Sequence, residues 1–184
     1  MPFITISNIV KETREIDFSD TFFVPKGYFQ SLKPNKKPKV GDILYTVTGA
    51  TLGIPVLVKD HKEFCFQRHI GLIRPKQDVD SRWLSYALAS PYVFAQATIG
   101  STGAAQKTVS LSVLRNIEVP KLSLLEQQAR ATKLDDLVDR TRRLAATYRR
   151  KIESLASLKQ SILRKAFSGE LASPPSQAVK EAAE

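Results

Sequence analysis

Cysteine occurs once in this chain of 184 residues, and histidine twice. The lone Cys65 excludes an intrachain disulfide and a Cys-rich zinc site. Set in the apolar string FCF, it reads as a buried structural thiol and fits a reducing cytoplasm. His61 and His69 show no metal-ligand spacing and read as surface or hydrogen-bonded histidines. Long apolar runs are also missing, since no stretch approaches the roughly 20 residues of a transmembrane helix. The opening MPFITISNI lacks a basic start followed by a long apolar run, so no signal peptide is expected. These absences predict a soluble, cytoplasmic protein.

Catalytic motifs are lacking as well. GATLG (49–53) joins two strand-like runs and has no Gly-Lys-Ser/Thr ending, and in GSTGAAQKT (100–108) Ala105-Gln106 stand where glycine should precede Lys107. The first reads as a hairpin turn and the second as an exposed loop; neither is a phosphate loop. The NPPY or DPPY motif of adenine methyltransferases is absent, as is the PD…ExK pattern of many nucleases. No catalytic group, metal or cofactor of the chain's own is expected.

Acidic residues are in deficit. Lys and Arg number 28 against 18 Asp and Glu, a net charge of +10 with a pI near 9.8. Such an excess points to a polyanionic partner. The first part of the chain reads as short strands, FITI, TFFV, DILYTV, GIPVLV, EFCF and HIGLI, which are β-branched or aromatic runs punctuated by Gly, Pro, Asn and Asp. After residue 80 the period changes. Asp80 can cap a helix through Trp83 to Leu88, and Pro91 suits the first turn of a second, YVFAQATI. A short turn, LSVLRN, and a brief strand, IEVP, follow. Residues 1–122 thus read as an α+β domain of roughly six strands and two or three short helices.

Ser123-Leu124-Leu125-Glu126 has the form of a capping box, and no Pro or Gly occurs from there to Phe167. Gly169 stands where a C-terminal cap belongs, with Arg164 and Lys165 placed to complement the helix dipole. One helix is therefore predicted over 123–167, inside a segment 123–171, with a disordered tail over 172–184. Laid out in sevens from Leu134, its a, d and e positions include Leu134, Leu137, Val138, Leu144, Tyr148, Ile152, Leu155, Leu158 and Ile162. Fully burying each large side chain is worth about 1.5–3 kcal/mol, so leaving the stripe wet forfeits on the order of ten. A second copy of the chain, or a partner's helix, is the expected cover; a helix folded back on its own domain is the alternative.

The stretch LKPNKKPK places Lys33, Lys36, Lys37 and Lys39 in a turn-like loop between two strands, suited to phosphate contacts, although alone it reads equally as a solvated loop. Together with the net charge and the polar loop Ser101, Thr102, Gln106 and Lys107, it favours nucleic acid. Gln67 and Arg68 are types that read adenine and guanine edges in the major groove, or else half-exposed strand residues.

GDILYTVTGATLG (41–53), the 100–108 loop leading into LSVLRNIEVPKLSLLEQQ (111–128), and SILRKAFSGEL (161–171) resemble the DNA specificity subunit of type I restriction–modification systems. The resemblance spans roughly residues 3–171. It implies a non-catalytic subunit that reads double-stranded DNA and docks methyltransferase subunits carrying S-adenosylmethionine, with a restriction subunit as a further partner. A full subunit of that family joins two recognition domains by two antiparallel helices. This chain holds one of each and lacks the Trp-containing segment that commonly opens the domain, so it resembles a half-length or truncated form. A homodimer through its helix, an antiparallel coiled coil, would then restore the second helix. The rival reading is a basic coiled-coil assembly protein whose charge is incidental, separable by salt-dependent duplex binding.

Overall fold

The computed structural model describes residues 1–99, 108–169 and 171. Among the described residues are eight short strands and five α-helices, and the chain divides into two compact units, Met1–Leu134 and Asp135–Glu184. The first unit is α+β and takes the opening turns of the last helix with it.

Strand β5 (Ile43–Thr46) is the centre of the first unit. It pairs antiparallel with β6 (Pro55–Leu57) and with β8 (Ile70–Ile73), giving the order β6-β5-β8. All four of its residues are buried, because successive side chains leave opposite faces and both faces are covered. Leu44 joins one cluster with Ile4, Ile54, Val56, Phe64 and Ile70. Ile43 and Tyr45 join the other, with Leu88, Val93, Ala97 and Val109. That second cluster is roofed by α2 (Ser81–Leu88) and α3 (Pro91–Ile99). The Asp80 side chain caps α2 by accepting from Trp83 N at 2.9 Å, and Pro91 opens α3, both as the sequence predicts.

A second sheet has β1 (Pro2–Ile4) between β4 (Phe22–Phe23) and β7 (Cys65–Phe66). Cys65 is fully buried, and burial pushes its thiol pKa up, which keeps it protonated and unreactive. All six predicted strands are present. A hairpin of β2 (Ile9–Val10) and β3 (Glu15–Ile16) was not expected, nor was helix α1 (Lys26–Ser31).

Two expectations are corrected. IEVP is not a strand. Its backbone is paired by a side chain instead: Gln96 Nε2 donates to Glu118 O at 2.9 Å, and Glu118 N donates to Gln96 Oε1 at 2.8 Å. The amide supplies the donor and acceptor that a neighbouring strand would have supplied, so the chain stays extended without a ladder. The basic stretch 33–39, read as a loop between two strands, instead leaves α1 and passes through a 3-10 turn at Pro34–Lys36 before β5. Pro34 sets that turn from its first position.

Helix α4 (Leu111–Arg115) is capped by Ser110. The last helix, α5 (Leu124–Phe167), is 44 residues long, about 66 Å at 1.5 Å per residue. Its capping box is formed: Ser123 N donates to Glu126 Oε2 at 2.9 Å and Glu126 N to Ser123 Oγ at 3.4 Å. The Ser123 hydroxyl, donating to Glu126 Oε2 at 2.6 Å, and then Ser123 N hold the Glu126 carboxyl below the usual carboxylate range. Gly169 takes a φ of +79° just past its end, as a C-terminal glycine should. No described helix is long and apolar enough to cross a membrane. The tail 172–184 lies outside the described residues.

Candidate nucleic-acid interface

Strand β8 is the edge of its sheet, and α4 packs against it so closely that a Cβ on Gly71 would meet Leu114 Cδ2 at 2.8 Å. Along this edge runs a groove of about 1040 Å3 with an apolar floor that includes Leu84, Leu88 and Leu114. Five cations line it: Lys36, Arg68, Arg74, Lys76 and Arg115. Gln67 and His69 line it too, and no Asp or Glu does among the described residues. Charges of one sign over a low-dielectric wall focus the field into the groove.

Each element positions its cation for a local reason. Gln67, Arg68 and His69 form the turn from β7 to β8, tied down where Gln67 N donates to Ile4 O at 2.9 Å and Val47 N donates to His69 O at 3.0 Å. The backbone is fixed while the exposed Arg68 is free to reach outward. Arg115 sits in the last turn of α4. Arg74 is committed elsewhere. Its Nε and Nη2 grip the two carboxylate oxygens of buried Asp42 at 2.8 and 2.6 Å, and Nη2 also donates to Lys37 O at 3.0 Å. Bonding to Asp42 raises the already high guanidinium pKa. This bidentate pair fastens the basic stretch to the sheet, so four cations remain for a ligand.

The four lysines of that stretch are thus separated by the fold. Lys36 faces the groove. Lys37 is turned back on its own chain, with Nζ donating to Gln30 O at 3.2 Å and lying 4.9 Å from the Phe29 ring centroid. Lys33 and Lys39 are exposed and do not line the groove. Ser101, Thr102, Gln106 and Lys107 lie outside the described residues. The segment ends at Thr108, which does line the groove and whose hydroxyl is 3.1 Å from that of Thr48.

Sequence reasoning missed Lys76, Arg115 and His69 as groove residues. No charge pattern in the sequence marks them; the packing of α4 on β8 brings them together.

On α5, Gln127 and Ala131 are buried and Leu134 and Val138 half-buried. Leu137, Leu144, Tyr148, Ile152, Leu155, Leu158 and Ile162 are 50–65% exposed, so the predicted stripe is present and bare over most of its length.

Residues 1–154 match the DNA specificity domain of type I restriction modification. Over 158 residues the chain is 28% identical to the specificity subunit of the EcoBI type I restriction enzyme of Escherichia coli, covering 85% of this chain and 33% of that protein. It is 25% identical over 175 residues to the StySPI specificity subunit of Salmonella potsdam, covering 93% and 36%. The chain therefore spans about a third of the length of these relatives. The fold is that of the HsdS subunit from Thermoanaerobacter tengcongensis, at a TM-score of 0.61 and 18% identity over 92% of this chain and 42% of that one. A structure from work on assembly and conformational transition of the type I R-M system gives 0.64 and 20% identity, over 96% and 44%. The chain belongs to the type I restriction modification DNA specificity domain family.

Proposed function

We propose that this chain is the DNA-reading, non-catalytic subunit of a type I restriction–modification complex, and that the cationic groove along β8 carries the DNA. The observation behind this is the set of five cations with no carboxylate in one groove, in a chain whose relatives are specificity subunits. Lys36, Lys76, Arg68 and Arg115 neutralise phosphates, and Gln67 reads a base edge. Methyltransferase subunits carrying S-adenosylmethionine supply the chemistry. A second copy covers the bare α5 stripe in an antiparallel, isologous pair.

The test is a salt titration of binding to a short duplex. Each lost phosphate contact lowers the slope of log K against log salt by about 0.9. Alanine at Lys36, Arg68, Lys76 and Arg115 together should therefore remove about 3.6 from it. Alanine at Lys33, Lys37 and Lys39 should remove less, since none lines the groove. Equal effects from the two sets would take the site away from the groove.

A further inference from the structure

The bare stripe on α5 is its own complement when read backwards. In an antiparallel pair of helices, the a positions of one face the d positions of the other. A pairing centred on Ala146 then sets Leu134 against Leu158, Leu137 against Leu155, and Leu144 against Tyr148. Along one flank of that seam the e positions meet, Val138 with Ile152 and Ala145 with its own counterpart. Two polar seam residues remain inside the matched span, Thr141 and Lys151, and they face one another. A slip of one heptad destroys the match. In one direction Lys151 lands on Tyr148 and Lys165 on Leu134; in the other Lys151 lands on Leu134 and Leu155 on Arg130.

The local chemistry agrees with the centred pairing. Thr141 Oγ1 donates to Leu137 O at 2.8 Å, which leaves the hydroxyl oxygen to accept from Lys151 Nζ of a second copy. Lys151 already lies along the stripe, with Nζ 5.7 Å from the centroid of its own Tyr148 ring. The arginines do not oppose the approach. Arg142, Arg143, Arg149 and Arg150 occupy b and c positions, outside the a, d and e seam. At the centre Ala145 contributes only methyl groups, so the two backbones can close up there.

We infer that α5 pairs with α5 of a second copy in this one antiparallel register, centred on Ala146 and held by two Thr141–Lys151 contacts. A polar pair within an apolar seam costs stability and specifies alignment. Leu134 is the last residue of the first unit, and the register puts the two Leu134 Cα atoms about 36 Å apart along the pair, close to one turn of B-DNA. A slip of one heptad changes that separation by about 10 Å. The inference rests on the dimer proposed above and adds its alignment.

The experiment uses the full chain carrying one nitroxide label, at Asp139→Cys, Glu153→Cys or Gln160→Cys. All three are exposed f positions, opposite the seam, and the fully buried Cys65 stays unlabelled. Pulsed electron–electron double resonance reads the distance between copies. Asp139 and Glu153 are equally far from Ala146, so their distances should be equal, and that at Gln160 longer by about 15 Å. A slipped register parts the first two by roughly 10 Å and overturns the inference. Three equal distances mean a parallel pair and overturn it as well. Lys151→Leu removes the charge that forbids slipping, so a second population should appear. A single unshifted distance there would remove Thr141–Lys151 as the aligning contact. A monomeric chain would instead bring down the proposed dimer itself.

Discussion

Gly53 sits at φ +83°, a conformation that costs a side-chain-bearing residue about 1–3 kcal/mol. Any Cβ there also strikes the Phe94 ring. Gly53→Ala should therefore lower the unfolding free energy by about 2–4 kcal/mol, the sum of strain and a displaced ring. Urea denaturation followed by tryptophan fluorescence measures it, and a loss under half a kcal/mol would show that the turn relaxes freely. The glycine was legible as part of a hairpin turn, because GATLG separates two strand-like runs. Its second role was not, since Phe94 meets it only after α2 and α3 have folded over the sheet. The lysines show the same limit. LKPNKKPK stands out in the sequence, yet Pro34 and the Asp42–Arg74 pair decide that only Lys36 of the four enters the groove.

Three side-chain amides hold elements that backbone ladders do not reach. Asn8 Nδ2 donates to Asp17 O and Asp20 O, anchoring the segment after the β2–β3 hairpin. Gln96 lines up Glu118. Gln127, buried in the first turn of α5, accepts from Asp80 N at 2.9 Å and donates to Leu122 O at 2.9 Å and Asp78 O at 3.3 Å. Truncation to Gln127→Ala leaves three backbone groups unbonded in a closed space, so we expect a loss of about 2–4 kcal/mol. Hydrogen exchange should show faster amides at Asp80 and through the start of α5; unaltered exchange there would mean the helix is seated by Ala131 alone. The six strands and α5 were readable because periodicity and capping are local signals. The β2–β3 hairpin was not, since each strand has only two residues and the tip KETR is polar. Helix α1 carries Gly27 inside its first turn and follows Pro25, two features that read as loop. IEVP has strand composition but a side chain for a partner.

For the molecule as a whole, the bare stripe and the groove bear on the same question. Two copies paired through α5 would present their grooves as symmetry mates, so the target should be an inverted repeat of two short half-sites around an unread spacer. Methylation mapping in cells carrying this chain with its methyltransferase partner checks it; two unrelated half-sites would mean that a different recognition domain completes the complex. Light scattering gives the companion measurement. The unsubstituted chain should run as a dimer at micromolar concentration and Leu144→Glu/Leu155→Glu as a monomer. On α5 the large apolar side chains from Leu144 to Phe167 are exposed, and an isolated helix is marginal in water. The order of that half of the helix is therefore a matter of mass action, gained as ligand occupancy is gained. In the proposed dimer the distal helix would loosen below the dissociation constant, and the two copies' grooves would lose their fixed separation. The cellular abundance of the subunit would then act as a threshold for sequence discrimination in that dimer.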